Sequence, residues 1–241
     1  MRRETQNVLL VLLGGALLKL AFSGTYLRYV KESLQPWLVA TGAVMILLAV
    51  VAIVRDLRRG PTVKDTEDTG HTEDTGHAGR SPWMLLLPVL AVFLISPPAL
   101  GADTVNRSDR NAAQEAKPGN GFAPLPADQV VPLTLGEFVT RTAWDDSGSL
   151  NDRNVRLTGF VVRKDGRTYL ARLMISCCAA DASPVKVLAA GRDLGGLPDD
   201  QWVEATGRVV PGSATRDNAY VPTFTITGVT PITPPEDPYE G

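Results

Sequence analysis

The sequence predicts a membrane-embedded α-helical half of three spans, followed by a small α+β domain built as an OB-like β-barrel. Three observations point to this. Apolar residues are concentrated in 8–54 and 83–100, whereas the rest has the mixed polarity of a water-exposed domain. The length, 241 residues, suits one or two domains. Beyond residue 130, short strand-like runs alternate with turn signals.

Residues 1–7 form a basic N-terminus on the cytoplasmic side. The first span, 8–27, has about the ~20 apolar residues needed to cross ~30 Å of hydrocarbon. Tyr26 and Tyr29 mark its outer interface. The second, 37–54, runs from Trp37 to Val54 and makes a hairpin with the first. Gly14 and Gly15 would allow close helix contact. Lys19 is an intramembrane charge if the span is centred on it, and a side chain reaching the interface if the span ends near Ser23. The third span, 83–100, contains Pro88, Pro97 and Pro98, which membrane helices tolerate. Basic residues cluster before the first span and after the second, at Arg55, Arg58, Arg59, Lys64 and Arg80. The N-terminus and the 55–82 linker are therefore expected to be cytoplasmic, and everything after residue 101 extracytoplasmic.

The linker holds a tandem repeat, TEDTGHTEDTGH, over 66–77, which contains both histidines, His71 and His77. Imidazoles beside carboxylates suit zinc or another transition metal, and the competing reading is a solvated acidic linker. Residues 101–129, rich in Ala, Asn, Gly and Pro, read as a flexible tether.

The domain occupies 130–233, with 234–241 as a tail. Thr134 and Glu137 form a capping box at the start of a short helix. Strands are expected at 155–163, 168–176, 185–190, 201–210 and 220–229, with a hairpin turn at 164–167 carrying Asp-Gly. Five strands and one helix indicate the OB-like barrel, against an α+β sandwich as the alternative. Nucleic acid is not an expected partner, because net charge is −2 and Phe160, Tyr169, Trp202 and Phe224 fall at core-facing strand positions. With no histidine in the domain, a Cys–His or Ser–His nucleophile cannot be assembled there, and no P-loop or H-E-x-x-H pattern occurs. An enzyme is not expected.

The two cysteines, Cys177 and Cys178, are adjacent, at the end of a strand and three residues before Asp181. On the extracytoplasmic side three states are open to them. They could be a strained vicinal disulfide, two thiolates that with Asp181 hold a soft or borderline metal, or two buried thiols acting as small hydrophobes.

The hydrophobic hairpin, the charged histidine-bearing loop, PPALGADTVNRS, LTGFVVR, ARLMISCCAADASPV with its Arg172, DDQWVEATGRV and PPEDPY together resemble one family. It is an uncharacterised family of bacterial membrane proteins described as permease subunits, and the resemblance covers nearly the whole chain. It implies a multi-spanning permease as partner in the same bilayer, and no known substrate. The expectation is an accessory permease subunit of the bacterial inner membrane that handles a metal ion. Two alternatives are an extracytoplasmic thiol-redox or metal-insertion factor and a scaffold that docks a partner protein.

Overall fold

The computed structural model describes residues 3–59, 98–112, 121–127 and 129–241. The tandem repeat with His71 and His77, and residues 83–97 of the expected third span, lie outside these. The chain divides into two units, Met1–Tyr26 with Ser33–Pro97, and Leu27–Glu32 with Pro98–Gly241.

The first unit contains α1 (Arg3–Phe22) and α2 (Gln35–Arg59). The expected first span of 8–27 is corrected here. The helix stops at Phe22, and Gly24 takes φ +73°, a conformation that breaks a helix at no steric cost to glycine. Gln35 Nε2 donates to the Ala21 carbonyl at 3.2 Å, satisfying one of the acceptors left open at the end of α1. The two helices touch at Gly14 and Gly42, where a Cβ on Gly42 would sit 2.9 Å from the Leu18 side chain and 3.1 Å from the Gly14 carbonyl oxygen. Gly15 makes no such contact. Trp37, Val44, Leu47 and Leu48 of α2 are exposed. Among the described residues one helical stretch, Glu32–Arg58, is long and apolar enough to cross a membrane, with a mean hydropathy of 2.7 over its most apolar 18 residues, and Gln6–Phe22 is a shorter apolar helix.

The second unit is a mixed sheet of seven strands among the described residues. They are β1 (Val130–Pro132), β2 (Asn154–Lys164), β3 (Arg167–Met174), β4 (Ser183–Gly191), β5 (Trp202–Val209), β6 (Thr223–Pro231) and β7 (Tyr239–Glu240). All five expected strands are present within a few residues of their predicted ends. The 164–167 turn closes the β2–β3 hairpin with Asp165 at φ +52° and Gly166 at φ +72°, the two left-handed residues that a type I′ turn requires. Pairing runs β2–β3, β3–β4, β4–β6, β6–β5 and β5–β2, so these five strands return to their starting point in a closed circuit. The β4–β6 pair is parallel and the other four are antiparallel.

Side chains that alternate along the strands divide the core in two. One cluster holds Val155, Leu157, Val161, Leu170, Val187, Val203 and Phe224. The expected helix forms as α4 (Leu135–Trp144) and adds Leu135, Phe138 and Val139 to this cluster, with Phe138 edge-on to Phe224 at 5.3 Å. Only half of its expected capping box exists. Thr134 Oγ1 accepts from the Glu137 N–H at 3.1 Å, but the Glu137 carboxylate pairs with Arg141 instead of turning back. The second cluster lies on the other face, where Phe160, Val162, Ala171, Leu173, Trp202 and Tyr239 meet Ala102 and Val105 of a short helix α3 (Ala102–Asn106).

Two more expectations are corrected by that second face. Residues 101–112 are a docked segment, not a flexible tether. Ala102 and Val105 are buried, and the Asn111 amide exchanges hydrogen bonds with Lys186, receiving its N–H at 3.0 Å. The tail is also structural, since β7 pairs parallel to β3. Both segments have few apolar residues, and they dock through a few buried side chains (Ala102, Val105 and Tyr239) and several hydrogen bonds that a composition window does not register.

Candidate functional site

β3 ends at Met174, and the Ile175 N–H donates to the Glu240 carbonyl of β7. The chain then turns through Ser176, Cys177 and Cys178 into a 3-10 turn, Ala179–Asp181. Asp181 organises this turn. One carboxylate oxygen accepts from the Ser176 N–H at 2.8 Å, and the other from the N–H groups of Cys177 (2.8 Å) and Cys178 (3.4 Å). The carboxylate is thereby fixed beside the two thiols.

Cys177 is exposed and Cys178 half-buried, so the reading of the pair as core packing does not hold. Both are free cysteines, with Sγ atoms 3.4 Å apart. A disulfide would need about 2.05 Å. Two sulfurs of a tetrahedral site at ~2.3 Å from a metal stand about 3.7–3.8 Å apart. The observed spacing is near the second figure. Among the described residues, Cys177, Cys178 and Asp181 form a group whose ligand atoms all lie within 4.8 Å of one another.

The electrostatics follow from the same contacts. The Asp181 carboxylate, as hydrogen-bond acceptor, pushes the Cys177 thiol up to about 12, with Cys178 adding to the effect. In return the Cys177 thiol, helped by the Ser176 and Cys177 N–H groups, holds Asp181 down at about 2. At neutral pH Cys177 is therefore a protonated thiol and a poor nucleophile.

Sequence reasoning missed what holds the turn from the other side. Val30 makes an antiparallel bridge with Cys178. The Lys31 N–H donates to the Cys177 carbonyl at 3.1 Å, and the Ala179 N–H donates to the Tyr29 carbonyl at 2.7 Å. The connection between α1 and α2 thus supplies part of the cysteine turn's frame. Nothing local in the sequence signals a pairing across so many residues. Next to it the Tyr239 hydroxyl donates to the Arg28 carbonyl at 3.0 Å and accepts from the Leu100 N–H at 3.1 Å. Arg28, Leu100, Trp202 and Pro234 line a cleft of about 640 Å³.

Arg172, singled out beside the cysteines, has a structural position. Its guanidinium donates to the Asp237 and Tyr239 carbonyls at 2.8 Å and faces the Glu240 carboxylate at 3.6 Å. Glu240 in turn accepts from the Leu135 and Gly136 N–H groups at 2.8 and 2.7 Å, which caps α4 at its positive end. Lys19 lies exposed in the last turn of α1, at the end of the helix and away from its middle.

The chain is of the class that joins an apolar helical unit to a mixed-sheet domain, here with an exposed cysteine turn. It belongs to the DUF1980 family: the DUF1980 N-terminal domain matches residues 5–110 and the DUF1980 C-terminal domain matches residues 140–240. No curated protein and no solved structure matches the chain.

Proposed function

We propose that this chain is the accessory subunit of a bacterial membrane permease, anchored by three spans, whose extracytoplasmic domain holds a thiophilic metal ion at Cys177, Cys178 and Asp181. The observation that carries the metal reading is the convergence of two thiols and a carboxylate within 4.8 Å on an exposed turn. A divalent ion bound there releases both thiol protons, because coordinated thiols are deprotonated outright. Three ligands from one turn leave the fourth tetrahedral position to an incoming group. Such an open site suits passing an ion on better than storing it.

The permease partner is supported by the family resemblance alone. The OB-like reading is supported by the five-strand circuit with its one parallel pair. The orientation has support from the pairing of residues 29–31 with the cysteine turn. If α1 and α2 both cross, with the basic residues inside, their connection lies outside, and so must the domain that pairs with it. The chain then has to cross once more between residues 59 and 98, which is the role of the third span.

Zinc titration of the reduced full-length chain in detergent tests the site. Zinc should protect both cysteines from alkylation, and a chelator should restore labelling. Cys178→Ala should abolish protection of Cys177. Unchanged labelling at saturating zinc would remove the metal from this reading. Affinity purification from native membranes should recover a multi-spanning permease.

A further inference from the structure

We propose that Tyr29–Lys31 is a clasp that keeps Cys177 and Cys178 as a reduced, cation-ready pair by pinning the peptide unit that a vicinal disulfide would have to twist. The inference rests on the metal reading only for what the pair is kept ready to bind. The clasp itself is read from backbone geometry.

The peptide between the two cysteines is held on both edges. Its carbonyl accepts from the Lys31 N–H at 3.1 Å, and its N–H faces the Asp181 carboxylate at 3.4 Å. Cys178 is extended, at φ −155° and ψ 168°, and the next peptide is anchored through Ala179 to the Tyr29 carbonyl at 2.7 Å. Adjacent Cα atoms are about 3.8 Å apart, below the usual 4.4–6.8 Å of disulfides. Bringing sulfurs from 3.4 Å to bonding distance therefore requires the peptide to turn, and turning it breaks these contacts. Chelation asks only that the sulfurs separate by a few tenths of an ångström, which side-chain rotation supplies. The clasp opposes oxidation and tolerates metal.

Oxidised glutathione tests this. One cysteine thiolate attacks its disulfide and expels one glutathione thiolate; the second cysteine then attacks the mixed disulfide and expels the other. The pair loses two electrons and two protons, and oxidised glutathione leaves as two reduced molecules. Ala179→Pro removes the N–H that reaches Tyr29, yet fits the turn, because Cys178 already has the extended conformation required before proline and residue 179 opens the 3-10 turn. Lys31→Pro removes the second hydrogen bond, and Ala179→Ser keeps the N–H as a control.

In the full-length chain in detergent, with the disulfide counted by intact mass, each proline variant should oxidise about fivefold faster than wild type, the equivalent of one hydrogen bond. Ala179→Ser should match wild type. Tyr239→Phe, which frees the same segment at Arg28 without altering the turn, should also accelerate oxidation, and it covers the case of a proline variant that fails to fold. Equal rates in wild type and in the folded variants overturn the clasp, whatever zinc does. Faster oxidation of the variants with no zinc bound by any chain upholds the clasp and removes the metal.

Discussion

Tyr239 places one hydroxyl between two backbone groups far apart in sequence, donating a hydrogen bond to the Arg28 carbonyl and accepting one from the Leu100 N–H. Its ring is buried while both partners border the cleft, so Tyr239→Phe removes two part-buried hydrogen bonds. The expected cost is about 1–3 kcal/mol, measured by denaturant unfolding. Burial also pushes the phenol above its ordinary value. The unfolded chain then loses this proton near pH ~10 while the folded chain keeps it, so stability falls as pH rises from there towards the folded value. Tyr239→Phe should remove this share of the alkaline loss, and equal slopes for the two proteins between pH 9 and 11 would contradict the assignment. At this scale the sequence was partly legible. Two adjacent cysteines before a carboxylate were evident as a candidate site, but that Asp181 frames the turn and Arg172 secures the C-terminus depends on partners remote in sequence.

Elements with strong periodicity were the most readable. β2 to β6 and α4 follow from alternation, an Asp-Gly turn and a threonine cap, all of which are local signals. α3, β1 and β7 did not, because each is short and is held by contacts that only the folded domain brings together. The expected first span runs too far because it is carried across Ser23, Gly24 and Thr25 to Tyr26 and Leu27, whereas the helix breaks at Gly24. The α1–α2 contact yields its own prediction. Gly42→Val puts carbon against Leu18 and the Gly14 carbonyl, and the carbonyl, being backbone, cannot swing aside. Overpacking of this kind costs about 1–3 kcal/mol. Thermal unfolding of the purified chain in micelles should show the loss, whereas Gly15→Ala, facing open space, should unfold like wild type.

Across the whole chain, the family assignment and the division into helical and mixed-sheet units agree with the segregation of apolar residues. The proposed arrangement of spans makes a separate forecast. Alkaline phosphatase fused after residue 120 should be active in cells, and the same enzyme fused near residue 70 should be inactive. The reverse pattern would place the cysteines in a reducing compartment and undo both the topology and the need for a clasp. The bond from Tyr239 to Arg28 joins residues 211 apart in sequence. A ribosome finishes residue 28 long before it reaches residue 239, so this contact cannot close while synthesis is under way. Until residue 239 is made, the mixed-sheet domain lacks both β7 and the hydroxyl that seats the interhelix segment. The seating of the interhelix segment is therefore a late event: the helical hairpin is made first, and the hydroxyl that holds its connection arrives 211 residues after Arg28.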